Sequence, residues 1–209
     1  MDLPHEARAY ADADFSDVNA AFVDRVIELA WNLRVARCID LGTGPGDIPV
    51  RLARQRPQWH IDAVDAAEAM IDIARDAVAR AGVRNVRLHL ADAKQTRLAA
   101  GYDVIFSNSL LHHLPDPLPI WKEIRRLARP GSVVLVRDLV RPATYDLAEE
   151  IVQRYAGGES ETLRGEFYRS LLSAFTPGEI RQQLEEVGLR ELEIRQSTDR
   201  HVDVSGVLT

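Results

Sequence analysis

The sequence predicts an α/β fold in which helices cover both faces of a doubly wound, mostly parallel sheet. Over about 140 residues, short apolar strands alternate with amphipathic helices, a pattern typical of βαβ units. The strands are almost continuously apolar, as expected where both faces of a sheet are covered. Two strand-like segments near the C-terminus, separated by about two residues, predict an antiparallel hairpin. The chain of 209 residues suits one domain with a sizeable core, so we expect a single domain over residues 1–209.

The elements follow from local patterns. Ser16 precedes apolar residues at three-to-four spacing and predicts a capped amphipathic helix as far as Leu33. Gly82 predicts the end of one helix, and Pro117 predicts the start of another. Apolar runs predict strands over 35–41, 59–65, 86–92, 102–108 and 132–140, with helices over 47–56, 67–82 and from 116 onward. Beyond residue 140 the pattern predicts two helices over 142–175, a helix over 176–189, and the hairpin strands 190–197 and 200–208.

Composition excludes several classes of protein. The net charge of −6 and the pI near 5.5 argue against a nucleic-acid partner, which usually meets a basic face. No apolar stretch approaches the ~20 residues of a membrane span, and the acidic N-terminus lacks a secretion signal. Cys38, the only cysteine, lies in an apolar run and is interpreted as a core residue. We therefore expect a cytoplasmic protein with no membrane partner, and we leave a homodimer open.

A glycine-rich turn follows the first predicted strand. Gly42, Gly44 and Gly46 are spaced G-x-G-x-G, which permits a tight turn and close approach of a ligand to the backbone. The alternative is an ordinary turn between a strand and a helix. Asp47 follows the last glycine, and its carboxylate would repel a phosphate at the start of the helix. The turn therefore favours a nucleoside without phosphates.

Three carboxylates are predicted at the ends of successive strands. Asp40, Asp65 and Asp92 should share the edge of the sheet where parallel α/β folds bind ligands. Such a cluster suits a ligand that is positively charged and rich in hydrogen-bond donors. S-adenosylmethionine offers a ribose diol, an exocyclic amine, an α-ammonium and a sulfonium, and it is the cofactor that we expect here.

The motifs resemble those of the class I S-adenosylmethionine-dependent methyltransferases, closest to the ubiquinone/menaquinone-biosynthesis-like group that acts on small molecules. "IDLGTGPGD" resembles the first motif of the family, "VDAAEAM" the acidic end of strand two, and "LADAKQ" the adenine-binding turn. "YDVIFSNSLLHHLPDP" resembles the fourth motif, and "IRRLARPGSVVLV" the helix and strand after it. The resemblance covers roughly residues 35–140 and implies a Rossmann-like, seven-stranded sheet that the terminal hairpin completes.

The resemblance also implies roles for individual residues. Asp40 and the backbone of Gly42 to Gly44 should face the methionine end, and Asp65 should bind both ribose hydroxyls. Asp92 should approach the adenine amine, while Ala93 supplies backbone to the same turn. The complete predicted cofactor site is Asp40, Gly42, Gly44, Gly46, Asp65, Ala66, Met70, Asp92, Ala93, Ser107 and Asn108. In it, Ala66 and Met70 pack near the adenine, and Ser107 and Asn108 lie close to the sulfonium and the amino-acid moiety.

Three residues are candidates for a catalytic role. His112 and His113 follow strand four, and a histidine titrates near neutrality and can act as a general base. The alternative is that both histidines brace the loop, which we favour because unrelated acceptors share this motif. Tyr10 is the third candidate, since its ring can face a sulfonium. His60 and His89 lie within strands and are expected in the core, and no ligand spacing for a metal is apparent.

Acceptor choice should depend on segments outside the shared motifs. Residues 1–34 are expected to form an N-terminal lid and helix, with 8–15 over the cofactor and Phe15 either walling the pocket or stapling the helix. Residues 141–175 are expected to form a substrate lid, whose arginines and tyrosines either hold an anionic or aromatic acceptor or form a solvated face. Methyl transfer to a small molecule by in-line displacement is the expected reaction. Another use of the cofactor, such as aminocarboxypropyl transfer or cyclisation, an inactive cofactor-binding protein and a nicotinamide-dependent reductase are the alternatives.

Overall fold

The computed structural model describes residues 16–209, and its elements alternate as the sequence predicts. The helices are α1 (Ser16–Leu29), α2 (Asp47–Gln55), α3 (Glu68–Ala81), α4 (Leu118–Leu127), α5 (Tyr145–Ala156), α6 (Glu161–Ser173) and α7 (Pro177–Val187). The strands are β1 (Arg37–Leu41), β2 (His60–Asp65), β3 (Val86–Leu90), β4 (Tyr102–Asn108), β5 (Ala128–Leu139), β6 (Glu193–Gln196) and β7 (His201–Val207). A short 3₁₀ turn, Leu111–His113, follows β4.

The strands form one sheet with the order β3-β2-β1-β4-β5-β7-β6. Strands β1 to β5 pair in parallel, and β7 joins β5 and β6 in antiparallel register. The predicted doubly wound, seven-stranded fold with a C-terminal hairpin is therefore confirmed. The strand order reverses between β1 and β4, and parallel sheets bind ligands at the carboxyl ends of the strands beside such a reversal.

Two hydrophobic clusters fill the two sides of the sheet. One centres on α4 and α7 and includes Trp121 and Ile124, while the other centres on α1 and α2 and includes Phe22 and Trp59. Cys38 lies in the second cluster and is fully buried, which confirms its interpretation as a core residue. Burial, followed by the charges of Asp103 and Asp62, raises the pKa of the Cys38 thiol well above its usual value, so the thiol stays protonated.

A third, smaller cluster joins α5 and α6 to the end of β5. It contains Leu139, Ala148, Ile151, Val152, Leu171 and Ala174. Local chemistry fixes the ends of these helices: the Thr144 side chain caps α5 and the Ser160 side chain caps α6. Residues 141–175 thus form two helices around a core of their own, and their role as a substrate lid stays a prediction.

Several predicted boundaries and burials differ in the structure. Strand β3 ends at Leu90, so Asp92 lies in the following turn rather than at the end of the strand. The hairpin turn contains four residues, 197–200, because β6 ends at Gln196. His60 is exposed rather than buried, since it is the first residue of β2, at the margin of the sheet. His89 is half-buried, with its Nε2 atom 2.7 Å from Asp62 Oδ1, and is a polar contact rather than an apolar core residue. None of the helices within residues 16–209 combines the length and apolar character needed to cross a membrane.

Candidate active site

The glycine turn between β1 and α2 adopts a backbone conformation that requires glycine. Gly42, Gly44 and Gly46 have φ values of 81°, 54° and 83°, in the left-handed region that other residues rarely adopt. The amides of Gly42 and Thr43 both donate to the carbonyl of Val64, at 2.9 and 2.8 Å. The turn is thereby fixed against the end of β2, directly beside the reversal of strand order.

Asp65 serves this turn as a structural acceptor, a role that the sequence did not indicate. Its Oδ2 atom accepts a hydrogen bond from the Gly44 amide at 2.8 Å, and its Oδ1 atom accepts one from the Ala67 amide at 2.9 Å. A carboxylate offers about four lone-pair sites, so each oxygen can still accept from a ligand hydroxyl. The predicted ribose contact is compatible with this geometry and stays a prediction.

Asp40, near the end of β1, and Thr43, within the glycine turn, both have buried polar atoms that are not used. Asp40 is 1% exposed, and neither its Oδ2 atom nor the Thr43 hydroxyl has a well-oriented hydrogen-bond partner among the described residues. Burial raises the pKa of Asp40 to about 7, against the opposing effect of the nearby Thr43 hydroxyl, and the charge of Asp65 raises it further. Buried polar atoms without partners are costly, so this pair of atoms fits a ligand that brings hydrogen-bond donors and positive charge.

The predicted adenine side of the site lies beyond β2 and β3. Met70, in the first turn of α3, is buried, and Ala66 just before it is exposed. Asp92 is exposed, and its Oδ1 atom accepts from the Lys94 amide at 2.9 Å and pairs with Lys94 Nζ at 2.9 Å. Partial burial opposes the effect, but the hydrogen bonds and charge of Lys94 leave the pKa of Asp92 below its usual value. Ala93 is buried, so only its backbone is suited to the contact that the resemblance implies.

The end of β4 lies next to the glycine turn. Ser107 is buried, and its hydroxyl donates to the carbonyl of Leu41 at 2.6 Å, which ties β4 to β1. Asn108 is half-buried at the carboxyl end of the strand. Ser109 follows with a φ of 57°, a left-handed conformation that is uncommon for serine. The structure thus brings Ser107 and Asn108 to the edge that carries Asp40 and Gly42.

The two candidate histidines have different surroundings. His112 is buried, with Nδ1 2.6 Å from Oδ1 of the buried Asp138. His113 is exposed, and its ring centroid lies 4.0 Å from that of His112. Partial burial, and then the neighbouring His112, lower the pKa of His113 to about 4, while Asp138 opposes this shift. His113 is therefore neutral at physiological pH and only a weak base.

Other predictions lie outside this constellation or outside the described residues. Tyr10 and the segment 8–15 precede residue 16 and are not covered by the structure. In the predicted lid, Phe167 and Tyr168 pack against the small cluster of α5 and α6, so they support the packing of these two helices. No group of three or more potential metal ligands occurs within residues 16–209.

Two further polar residues of the site, Thr43 and Asp138, were not singled out from the sequence. Thr43 leaves no signal in the sequence, because it is a single threonine between two glycines. Asp138 does leave a sign, because Arg137 and Asp138 are two charges that interrupt the apolar residues at the end of β5, and a buried charge requires partners.

The glycine turn, the buried Asp40, whose Oδ2 atom has no hydrogen-bond partner within residues 16–209, and Asp65 at the end of β2 are the features of an S-adenosylmethionine-dependent methyltransferase domain. The chain belongs to the family described as "Methyltransferase domain", whose model matches residues 34–186. The predicted family, class of enzyme and cofactor are thereby confirmed. The narrower ubiquinone-like group stays a prediction.

Individual relatives carry more specific names. The chain is 31% identical over 158 residues to trans-aconitate 2-methyltransferase of Deinococcus radiodurans, covering 74% of this chain and 57% of that protein. It is 31% identical over 215 aligned residues to malonyl-(acyl-carrier protein) O-methyltransferase of Geobacter sulfurreducens, covering 96% and 75%. A crystal structure of an S-adenosylmethionine-dependent methyltransferase from Aquifex aeolicus shares the fold, with a TM-score of 0.72, 18% identity and 99% coverage of both chains. The chain spans about half the length of the trans-aconitate relatives that it matches, 46% and 57%.

Proposed function

We propose that this protein transfers the methyl group of S-adenosylmethionine to a small-molecule acceptor. The observation that carries the proposal is the cradle under the glycine turn, where the buried Asp40 Oδ2 and Thr43 Oγ1 atoms lack partners among the described residues. The α-ammonium of the cofactor would satisfy both. When bound, the cofactor supplies a methyl group on a sulfonium, which is already a good leaving group, so that positioning provides most of the acceleration.

Other residues of the predicted site are proposed to contact the remaining parts of the cofactor. Asp65 is proposed to accept from the ribose hydroxyls while it holds the Gly44 amide, and Asp92 is proposed to accept from the adenine amine. Ser107 and Asn108 are proposed to border the methyl group, because they end the strand beside the glycine turn. The net charge of −6 supports a partner other than nucleic acid.

The acceptor group that fits the site best is a carboxylate. Alcohols, phenols and amines must lose a proton during methyl transfer, which calls for a base. Here His113 has a pKa of about 4 and His112 is tied to Asp138. A carboxyl group has a pKa of ~4 and is already ionised at neutral pH, so it needs no base. The relatives named for trans-aconitate and malonyl substrates both act on compounds that carry carboxylates.

The test uses S-adenosylmethionine labelled in its methyl group. We expect label to enter small di- and tricarboxylates, with trans-aconitate and a malonyl thioester as the first probes, and to be released by mild alkali as expected of a methyl ester. Asp65→Asn should abolish most of the transfer, and Asp76→Asn, an exposed position on α3, is the matched control. Transfer to amines or phenols but not to carboxylates would contradict the acceptor class. Formation of methylthioadenosine in place of S-adenosylhomocysteine would contradict methyl transfer itself.

A further inference from the structure

Asp138 is a buried carboxylate at the end of β5 that the proposed cofactor contacts do not use. Its side chain is 2% exposed. It accepts hydrogen bonds from the Leu111 amide at 2.6 Å and the Leu139 amide at 2.7 Å, and Nδ1 of His112 lies 2.6 Å from its Oδ1 atom. Burying a carboxylate is costly, and hydrogen bonds to an ionised acceptor are among the strong ones. The structure around Asp138 is therefore stable only while these donors stay in place.

The loop that Asp138 holds also presses on the glycine turn. Leu110 lies so close to Gly42 that a Cβ atom added there would stand 2.9 Å from Leu110 Cδ2. Ser109, just before it, has the left-handed φ of 57°, and its amide donates to the carbonyl of Arg137 at 2.9 Å. A strained residue of this kind persists only where the surrounding contacts hold it. The bonds to Asp138 and Arg137 are the contacts that do so.

The same loop borders the lid. The 3₁₀ turn Leu111–His113 contacts α6, and Leu139, which follows Asp138, belongs to the lid cluster. The Asp138 carboxylate therefore bonds to the loop that packs against the glycine turn. It also bonds to the amide of Leu139, the strand residue that belongs to the cluster of the predicted lid.

We propose that Asp138 is a positioning residue, which holds the 109–113 loop against the glycine turn and so couples the lid side of the site to the cofactor side. The proposal rests on the proposed function only in naming that cofactor. In this arrangement Nδ1 of His112 donates a hydrogen bond to Asp138, and this bond helps to secure the loop. This assigns a different task to His112 from that of a general base.

Asp138→Asn directly tests the role of the hydrogen bonds that Asp138 accepts. Its amide nitrogen cannot accept a hydrogen bond, so either Leu111 or His112 loses its acceptor. We expect the affinity for S-adenosylhomocysteine to fall about tenfold or more, as measured by calorimetry, which is the size expected for a charged hydrogen bond. The amides of Leu111 and Gly42 should exchange their hydrogens at least about tenfold faster in the free protein. Asp116→Asn, an exposed acceptor at the far end of the same segment, should leave both quantities unchanged.

A second pair of variants distinguishes His112 as a hydrogen-bond donor to Asp138 from His112 as a general base. It also keeps the test valid if Asp138→Asn does not fold. In His112→Asn, the amide nitrogen stands where Nδ1 stood and still donates to Asp138, whereas His112→Ala donates nothing. We expect His112→Asn to keep its affinity for S-adenosylhomocysteine within about threefold, and His112→Ala to lose about tenfold or more. Nitrogen NMR should show His112 protonated at Nδ1 in the wild type, and a mixture of tautomers in Asp138→Asn.

Several outcomes would overturn the proposal. Unchanged affinity and unchanged Leu111 exchange in a folded Asp138→Asn protein would do so, as would equal retention or equal loss in the two His112 variants. Failure of the wild type to bind S-adenosylhomocysteine is a separate result, which would remove the proposed function. In that case the exchange rates of Leu111 and Gly42 in the free variants still decide whether Asp138 couples the loop to the turn.

Discussion

At the scale of single residues, the site depends on where carboxylates are buried and what surrounds them. Asp65 and Asp138 both accept hydrogen bonds from protein donors, whereas one oxygen of Asp40 has no partner in the part of the chain that the structure describes. A carboxylate thus anchors a turn at one position and a loop at another, while at the third, one oxygen is left for the proposed ligand. Residue type alone does not distinguish these tasks, because burial and neighbouring donors assign them.

Asp40 should make the stability of the free protein depend on pH. Its pKa rises from 3.8 to about 7 on folding, so the folded state holds a proton that the unfolded state releases. The stability conferred by that proton is complete below pH 3.8 and is lost as the pH rises to about 7. Asp40→Asn removes the buried charge and should raise the melting temperature at pH 8 by a few degrees, with little change at pH 5.

Cofactor binding should show the opposite dependence at the same residue. An ammonium group favours the ionised form of Asp40, so the affinity for S-adenosylhomocysteine should rise from pH 5.5 to 7.5 and then level off. Calorimetry across this range checks the prediction, and Asp40→Asn should bind weakly with a flat profile. A wild-type profile that is flat from pH 5.5 to 7.5 would remove Asp40 from the contact with the ammonium.

His113 should remain neutral far below the usual pKa of a histidine. Partial burial and the adjacent His112 lower its pKa to about 4, so a titration of its ring protons by NMR should show no protonation above about pH 5. The unfolded chain takes up this proton near pH 6.5, so the contribution of His113 to stability is lost as the pH falls from 6.5 towards 4. An NMR midpoint near 6.5 would restore His113 as a candidate base and weaken the argument for a carboxylate acceptor.

At the scale of elements, the turn between β1 and α2 is the part that we propose the cofactor to approach most closely. Its three glycines all have positive φ, but their surroundings differ. A Cβ at Gly46 would stand 2.9 Å from the Cβ of Ala74 and 3.1 Å from its backbone, while at Gly44 none of the described residues lies within 4 Å. Gly46 is therefore needed for the packing of α2 against α3, and Gly44 leaves room for a ligand.

Substitution by alanine should separate these two needs. Gly44→Ala carries only the backbone strain of a positive φ, about 1 to 2 kcal/mol, yet it fills the space beside the proposed ligand. Gly82→Ala is the matched control, because Gly82 ends α3 with a φ of 67° and likewise has no atom of residues 16–209 within 4 Å of an added Cβ. Both variants should lose similar stability in urea unfolding, but only Gly44→Ala should lose at least about tenfold in affinity for S-adenosylhomocysteine. Equal affinity in the two variants would place the ligand elsewhere.

At the scale of the whole molecule, the structure contains a sheet with two large cores, and α5 and α6, the predicted lid, pack around a small core. The lid cluster is separate from the two clusters that sandwich the sheet. A surface contact also ties the lid to the hairpin turn, where the Tyr155 hydroxyl donates to Asp199 at 2.9 Å and the Arg200 guanidinium lies 3.4 Å from the Tyr155 ring centroid. Exposed polar contacts of this kind contribute little stability, so the lid is held mainly by its own few apolar side chains.

The lid should therefore open at a lower free energy than the sheet. Hydrogen exchange in the native protein should show the amides of α5 and α6 exchanging at least about tenfold faster than those of β1 and β4, because opening the lid exposes only the small cluster. Tyr155→Leu should speed exchange in α5 without changing that of β1. Equal exchange in the lid and in the central strands would show that residues 141–175 are an integral part of the fold, not a separate lid.

The arrangement of the strands and the identity of the family could be predicted from the sequence. Apolar runs and glycine or proline stops are local properties, so β4 was predicted to its observed bounds, Tyr102–Asn108, and α2 to within one residue. Strand ends were less certain, since whether Ala91 and Asp92 continue β3 depends on pairing with β2, which stops at Asp65 and Leu90. The family motifs are contiguous in sequence, and contiguous motifs need no tertiary contact to be recognised.

The hydrogen-bond partners of individual polar atoms became known only from the tertiary structure. Local patterns in the sequence were enough to predict that Gly42, Gly44 and Gly46 form a turn, that Asp40 and Asp65 lie at or next to the ends of neighbouring strands, and that His112 and His113 follow β4. They did not determine that Asp65 holds the Gly44 amide, nor that Asp138 lies beside His112, because these partners are 21 and 26 residues apart. Such pairings arise when the sheet brings distant strand ends to one edge, and a polar atom then bonds to whichever donor packing has left within reach.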